Sequence, residues 1–135
     1  MTRSRNGKRY VLIADDDASI IRFVTAVIEG EGLEALPARD GKEAYKQLKS
    51  GKAIVAAIVD VRMPYIEGTE LVKFMRSDEK YAAIPVIMTT GEHLTKVAAA
   101  THGAGAMAFL PKPFTNHQLR MMLRTFLGAG DTAVT

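Results

Sequence analysis

The sequence contains no cysteine, so neither a disulfide framework nor a thiolate metal site is available to this chain. No apolar run approaches the length of a membrane-spanning helix, and the first residues lack the apolar core of a secretory signal peptide. These absences are compatible with a reducing compartment, and we expect a cytoplasmic protein. The chain has 135 residues, of which 47% are hydrophobic, with no repeat or linker, so we expect one domain with a proper core.

Acidic residues are missing from the first part of the chain, where no carboxylate precedes Asp15. The formal net charge of +3 therefore comes from a short basic segment that contains Arg3, Arg5, Lys8 and Arg9. A nucleic-acid-binding domain should carry a basic face on its fold, so this distribution argues against that class. We expect residues 1–8 to be a disordered basic leader, 9–127 to be the folded domain and 128–135 to be a flexible tail.

Five short apolar segments predict β-strands. They are Tyr10–Ala14, Leu33–Leu36, Ile54–Asp60, Pro85–Thr89 and Ala106–Leu110. Pro37 is expected to stop the second of these strands. The third is an unbroken run rich in β-branched residues, which is typical of a strand buried on both faces of a parallel sheet.

A helical pattern follows each predicted strand, giving five helices. Their apolar positions lie at 20–28, 44–48, 71–75, 94–101 and 119–126. Asp40 with Glu43, and Thr115 with Gln118, are typical of capping arrangements that open the second and last helices. Five strands alternating with five helices predict a single α/β domain with a doubly wound parallel sheet.

Polar side chains with a common chemistry stand where the strands end. The first strand is followed by Asp15, Asp16 and Asp17, and the third ends at Asp60. The fourth and fifth strands lead to Thr89, Thr90 and Lys112. Because the carboxyl ends of parallel strands lie at one edge, these groups can converge.

Crowded carboxylates repel one another unless a cation is bound, and hard oxygen ligands suit Mg²⁺, which also binds phosphate oxygens. A carboxylate such as Asp60, placed beside a metal, an ammonium and a hydroxyl, can attack a phosphoryl group. The metal and Lys112 would stabilise the charge on the transferring oxygens. The pattern therefore favours phosphoryl transfer to an aspartate.

The ordered motifs resemble the response-regulator receiver domain of two-component signalling, in its single-domain, chemotaxis-regulator-like form, over about residues 9–127. The matching pieces are Val11–Asp16, Asp60 with Met63-Pro64 and Gly68, Pro85–Thr90, and Lys112-Pro113-Phe114. The resemblance implies a flavodoxin-like sheet in the order 2-1-3-4-5 and a cis peptide bond between Lys112 and Pro113.

By the same resemblance, Asp60 is the phosphoacceptor and is assisted by Thr90 and Lys112. Asp15, Asp16, Asp60 and the backbone carbonyl of Arg62 would hold Mg²⁺, while Thr90 and Phe109 would form the switch. The donor would be a histidine kinase or a histidine phosphotransfer protein. The downstream target would bind the face formed by the fourth helix, fifth strand and fifth helix, with no role for nucleic acid or membrane.

Several positions allow simpler interpretations. Asp17 could be only a helix cap, and Phe109 could be a fixed core residue. Thr89 and Thr90 point to opposite faces of a strand, so only one can face the site, and the resemblance selects Thr90. Arg62 and Glu92 lie at the mouth of the expected site, where an opposite-charge pair could tune the lifetime of the phosphorylated state.

The favoured class is a signalling phosphoacceptor, which is not a conventional enzyme but catalyses its own phosphorylation and dephosphorylation. Two other classes of protein are alternatives to it. An aspartate-nucleophile phosphohydrolase of the haloacid-dehalogenase type has its nucleophile in Asp-x-Asp after the first strand and carries a cap domain. In this chain the nucleophile would lie on the third strand, and no cap insertion fits. A dinucleotide-binding module would need a glycine-rich turn after the first strand, where this sequence has Asp15–Asp17.

Overall fold

A computed structural model describes residues 7–91 and 105–127 of the chain. Its strands are β1 (Tyr10–Ala14), β2 (Glu34–Ala38), β3 (Ile54–Asp60), β4 (Val86–Thr90) and β5 (Ala108–Pro111). The helices in the described part are α1 (Ala18–Gly30), α2 (Gly41–Leu48), α3 (Gly68–Ser77) and α4 (Asn116–Leu127). The helix predicted around residues 94–101 lies outside the described residues, so α4 corresponds to the fifth helix predicted from sequence.

The five strands form one parallel sheet in the order β2-β1-β3-β4-β5, which confirms the predicted topology. The strands β1 and β3 are adjacent and central. Because all strands are parallel, the residues that follow them gather at one edge of the sheet. Asp15, Asp60 and Thr90 therefore lie at this edge, and the segment that follows β5 also lies there.

The sheet has a core on each face. One core packs α2 and α3 against residues such as Leu12, Val59 and Met88, and the other packs α1 and α4 against residues such as Ile13, Ile58 and Ile87. Alternate residues of each strand serve opposite cores, as the pleat of a strand requires. The buried positions of α4 are Leu119, Leu123 and Leu127. Met122 and Phe126, expected to be buried, are only partly so.

The predicted end of the second strand was wrong, because β2 continues through Pro37 to Ala38. β2 is an edge strand that pairs with β1 alone, so one of its sides needs no backbone donor. The missing N–H of Pro37 therefore costs no ladder hydrogen bond. β4 begins and ends one residue later than predicted, and β5 spans Ala108–Pro111 rather than Ala106–Leu110.

The predicted helix caps are present. Thr115 and Gln118 exchange reciprocal hydrogen bonds before α4, and the Asp40 side chain accepts from the Glu43 N–H before α2. The Asp17 side chain accepts the Ser19 and Ile20 N–H groups at the start of α1. Each cap satisfies backbone donors that a helix leaves unpaired in its first turn. Of the helices in the described ranges, none has both the length and the apolar character needed to cross a membrane.

Candidate functional site

Three carboxylates meet at the carboxyl edge of the sheet. Asp15 follows β1 and Asp60 ends β3, and both are buried, with 2% and 8% of their surfaces exposed. Asp16 is exposed beside them. One oxygen from each of the three lies within 4.8 Å of the others. The predicted convergence of these acids is therefore present in the fold.

The ammonium of Lys112 enters the same cluster from the segment after β5. Its Nζ atom lies 2.9 Å from Asp15 Oδ2, to which it donates a hydrogen bond, and 3.5 Å from Asp60 Oδ2. The Lys112 backbone N–H donates to the carbonyl of Thr90 at 2.8 Å, which ties this segment to the end of β4. The following Lys112–Pro113 peptide bond is cis, as the resemblance implied. The sequence reasoning assigned Lys112 to the phosphoryl group but did not anticipate its hydrogen bond to Asp15.

Burial and the neighbouring charges shift the ionisation of both partners. Burial, followed by repulsion from the Asp15 carboxylate, raises the pKa of Asp60 to about 6, although Lys112 acts in the opposite direction. Burial by itself lowers the pKa of Lys112, but the hydrogen bonds and charges of Asp15 and Asp60 outweigh it, so its pKa is raised. At neutral pH the cluster therefore combines a cationic Lys112 with an Asp60 that is mostly ionised yet strongly influenced by its neighbours.

Gly68 fixes the loop that follows Asp60. Its N–H donates to the carbonyl of Val61 at 2.8 Å. A Cβ atom at this position would overlap the backbone carbonyl of Asp60 and approach Met88 Cε at 2.9 Å. Only glycine allows the first residue of α3 to pack so closely against the acceptor strand. In the sequence, Gly68 was used only as one of the pieces that match the receiver domain, and this packing role was missed. Its position directly before the third helix was the available signal.

Thr90 and Phe109 lie on the same face of the sheet. Phe109 is the register partner of Met88, and Thr90 is paired with Pro111 two residues further along. Thr90 is 2% exposed, whereas Phe109 is partly buried against the core on the α2 and α3 face. Since Leu110 belongs to the opposite core, Thr89, its partner in the register, faces the other side of the sheet. Thr90 therefore shares the sheet face of Phe109 and Thr89 does not, and the switch role of Thr90 and Phe109 stays a prediction.

The remaining predicted site residues have more varied positions. Asp17 is an N-cap, and its hydrogen bonds to Ser19 and Ile20 lower its pKa. Arg62 is exposed in the loop after β3, as expected for a residue at the site mouth. Glu92 lies outside the described residues, so the proposed pair with Arg62 stays a prediction. Of the three histidines, His117 is exposed, and the other two also lie outside the described residues.

The donor set fits a magnesium ion. Asp15, Asp16 and Asp60 offer hard carboxylate oxygens from one small region, with Asp16 open to solvent. Mg²⁺ favours few protein ligands and several waters, so a partly exposed site supplied by three acids matches its chemistry. The positive charge of Lys112, beside two of these acids, already offsets part of the negative charge of the three carboxylates. A single divalent ion would offset the remainder.

Comparisons with known proteins identify the family of this chain. The family model described as the response regulator receiver domain matches residues 11–124 of this chain. Chemotaxis protein CheY1 of Helicobacter pylori is 33% identical over 122 residues, covering 90% of this chain and 98% of that protein. The sensor kinase/phosphatase CqsS of Vibrio cholerae is 33% identical over 114 residues, covering 84% of this chain but only 16% of that much longer protein.

A solved structure gives the same result in three dimensions. The chemotaxis response regulator CheY4 of Vibrio cholerae matches with a TM-score of 0.82 and 32% sequence identity, covering 89% of this chain and 99% of that one. The family match over residues 11–124 favours the receiver domain over the haloacid-dehalogenase alternative. The chain therefore belongs to the response regulator receiver domain family, and it is a phospho-accepting switch of two-component signalling.

Proposed function

We propose that Asp60 accepts the phosphoryl group and that Lys112 and Thr90 assist the transfer. The observation that carries this proposal is the position of Lys112 Nζ, 3.5 Å from Asp60 Oδ2 and 2.9 Å from Asp15 Oδ2. A single ammonium thus lies against the proposed nucleophile while it is held in place by a second carboxylate. It is positioned to balance the negative charge of the phosphoryl oxygens that come to lie beside Asp60 during transfer.

The donor is a phosphohistidine on a histidine kinase or a histidine phosphotransfer protein. A carboxylate oxygen of Asp60 attacks the phosphorus, the P–N bond breaks, and the imidazole leaves with the bonding electron pair and takes up a proton. The product is an aspartyl phosphate, whose oxygens accept hydrogen bonds from Lys112 and from the hydroxyl of Thr90. Since only the ionised carboxylate is nucleophilic, the raised pKa of Asp60, about 6, still leaves most of the protein competent at neutral pH.

Asp15, Asp16, Asp60 and the backbone carbonyl of Arg62 would hold Mg²⁺. The ion supplies charge neutralisation at the phosphoryl oxygens. Asp15 has a second role, because its Oδ2 atom accepts a hydrogen bond from Lys112, while its Oδ1 atom accepts the Asp17 N–H. It therefore links the metal-binding acids to the ammonium that faces Asp60.

Dephosphorylation returns the switch to its first state when water attacks the phosphorus and releases inorganic phosphate from Asp60. The protein thus catalyses both its own phosphorylation and its own dephosphorylation. Arg62 is exposed at the site mouth, where together with Glu92 it would control the approach of that water. Single and double alanine variants of Arg62 and Glu92 should change the dephosphorylation rate, and unchanged rates in all three would remove this role.

The output is a change on the face formed by the helix predicted at 94–101, β5 and α4, which binds a downstream protein target in the cytoplasm. The shared face of Thr90 and Phe109 supports this route, because a movement of Thr90 toward Asp60 would free space beside β5. The likeness to chemotaxis regulators over nearly the whole of their length supports a switch of this kind.

Acetyl phosphate provides a direct test of the acceptor. With Mg²⁺ present, intact-mass analysis should find one added phosphoryl group on the wild type and none on Asp60→Asn. Asp78→Asn makes the same change of charge at the carboxyl end of α3 and should be labelled like the wild type. Labelling of Asp60→Asn at the wild-type rate, or labelling that does not depend on Mg²⁺, would contradict the proposal.

A further inference from the structure

Tyr65, in the loop between β3 and α3, has an unusual conformation for an exposed aromatic residue. Its φ is +73°, and the Ile66 N–H donates to the Pro64 carbonyl at 2.9 Å across it. A hydrogen bond between residues i and i+2 around such a φ is a γ-turn of the rare, strained kind. Tyr65 is also 75% exposed, more than any other large hydrophobic residue in the described ranges. The strain is therefore not offset by burial, and glycine would suit the backbone better.

The start of α2 packs directly against this turn. The Gly41 N–H donates to the Pro64 carbonyl at 3.3 Å, and a Cβ atom at Gly41 would overlap the side chain of Ile66. The ammonium of Lys42 lies 4.4 Å from the centre of the Tyr65 ring. Tyr65 and the exposed side of α2 consequently form one continuous surface.

Lys42 is unfavourably placed for helix stability. It lies in the first turn of α2, where the positive end of the helix dipole disfavours a cation, and it is four residues from Lys46, a like charge on the same side. Lys49 continues this exposed row. None of the three lysines forms a salt bridge with another residue in the described ranges. No carboxylate within the described ranges therefore neutralises these three charges.

The row of lysines also contrasts with the charge of the rest of the fold. Residues 39–52 contain five bases and two acids, whereas the other residues from position 10 onward contain nine bases and thirteen acids. One of the two acids, Glu43, is already engaged, because its carboxylate accepts the Arg39 N–H at 2.7 Å. The exposed face of α2 is therefore a basic surface on an otherwise acidic domain.

We propose that the α2–Tyr65 surface, made of Lys42, Lys46, Lys49 and Tyr65, docks an acidic segment of a partner protein. Asp and Glu side chains of the partner pair with the three ammonium groups, and Tyr65 supplies an aromatic anchor of the kind that dominates interface energies. This accounts for a strained tyrosine and an unfavourable lysine that touch each other, since local rules are commonly broken at functional sites. The surface is separate from the output face and does not depend on the proposed phosphoryl chemistry.

Titration of the ¹⁵N-labelled full chain with a synthetic peptide rich in Asp and Glu tests the surface. The amide signals that shift should lie at 39–49 and 64–67, and affinity should fall with salt. Lys42→Gln and Tyr65→Ala should each weaken binding by about fivefold or more, whereas Lys80→Gln, the same loss of charge after α3, should have no such effect. Tyr65→Gly should raise the melting temperature while it weakens binding, because strain is relieved as the anchor is lost.

Three results would overturn the proposal. Peptide-induced shifts centred elsewhere on the domain would exclude this surface. An equal loss of affinity in Lys42→Gln and Lys80→Gln, or full affinity in Tyr65→Ala, would reduce the binding to general charge attraction. Tighter binding of phosphatidylserine-containing vesicles or duplex DNA than of the peptide, lost in the same variants, would replace the acidic protein segment with another class of partner.

Discussion

The ionisation of Asp60 depends strongly on the residues around it. Its carboxyl group is buried between Asp15 and Lys112, and its pKa is raised from 3.8 to about 6. Between these values the folded state retains a proton that the unfolded chain has lost. The contribution of Asp60 to stability is therefore fully present below about pH 4 and is lost as the pH rises through about 6.

We expect the free energy of unfolding of the metal-free protein to decrease over this pH window relative to that of Asp60→Asn. The size of the difference should be on the order of 2–3 kcal/mol, since one pKa unit corresponds to about 1.4 kcal/mol. Urea titrations of both proteins at pH 4 to 7 measure it. Saturating Mg²⁺ should abolish the loss at neutral pH by favouring the ionised carboxylate. Parallel pH profiles for the two proteins would contradict the burial of a titrating Asp60.

The adjacent Asp16 and Asp17 have the same charge but different environments. Asp16 belongs to the acid cluster, whereas the Asp17 carboxylate is occupied by the Ser19 N–H and hydroxyl at the start of α1. Asp16→Asn should weaken Mg²⁺ binding by at least about tenfold, because it removes a charged ligand. Asp17→Asn is a matched control, since asparagine also caps helices and only a distant charge is lost. Calorimetric titration with Mg²⁺ distinguishes them, and equal effects of the two variants would refute direct ligation by Asp16.

At the scale of elements, Arg76 connects α3 to the segments that enter two strands. Its guanidinium donates to the carbonyls of Ala82 and Ile84, at 3.0 and 2.9 Å, and to that of Gly105 at 2.9 Å. Ala82 and Ile84 precede β4, and Gly105 precedes β5, with a φ of +104°. Burial lowers the pKa of Arg76, whereas the hydrogen bonds to the three carbonyls stabilise its positive charge. This contact lies at the end of the sheet opposite the acid cluster.

Arg76→Met should lower the free energy of unfolding by about 2–3 kcal/mol, because three carbonyls lose a charged donor. Arg76→Lys should restore only part of this loss, since an ammonium lacks the planar fork that spans separate acceptors. Arg22→Met, a substitution on the exposed side of α1, should change stability by less than about 0.5 kcal/mol. Equilibrium denaturation compares the three variants. Full rescue by lysine would show that charge alone matters at this position.

A salt bridge also connects two helices that pack on the same face of the sheet. Arg124 of α4 donates to both carboxylate oxygens of Glu31, just after α1, at 2.8 and 3.2 Å. Glu31 is largely covered, with 7% of its side chain exposed, while Arg124 is half exposed. This bidentate pair connects the end of α1 to α4 on one face of the sheet.

In the molecule as a whole, a phosphoryl group added at Asp60 has to change the conformation of a distant surface. Thr90 and Phe109 share one sheet face, so a shift of Thr90 toward the phosphoryl oxygens would release space for the Phe109 ring. Moving a two-state equilibrium from 1:99 to 99:1 takes about 5.5 kcal/mol, within reach of a few charge-assisted hydrogen bonds. With beryllofluoride and Mg²⁺, amide shifts should extend from the site into residues 91–127.

Thr90→Ala should remove the shifts in that range while it leaves those near Asp60. Thr89→Ser is the control, because Thr89 faces the opposite core. Changes confined to residues 18–31, with residues 91–127 silent and Thr90→Ala without effect, would instead assign the output to α1.

The order of the helices and strands, and the chemistry of the residues at the sheet edge, follow from local patterns in the sequence. Apolar period, capping residues and strand-terminal acids are local patterns, so they predicted the parallel α/β fold and the convergence of Asp15–Asp17 with Asp60. The family resemblance then selected Asp15, Asp16 and Asp60 among these acids. They misjudged the end of β2, because the tolerance for Pro37 depends on an edge position that is set by other strands.

The contacts of the site residues, by contrast, depend on how distant segments of the chain pack together. The bond between Lys112 and Asp15 joins residues 97 positions apart, and the close approach of Gly68 to Asp60 depends on how α3 packs against the sheet. The strained turn at Tyr65 likewise exists because the start of α2 holds Pro64 and Ile66 in place. No local pattern encodes these distances, since each arises when segments far apart in the chain pack against each other.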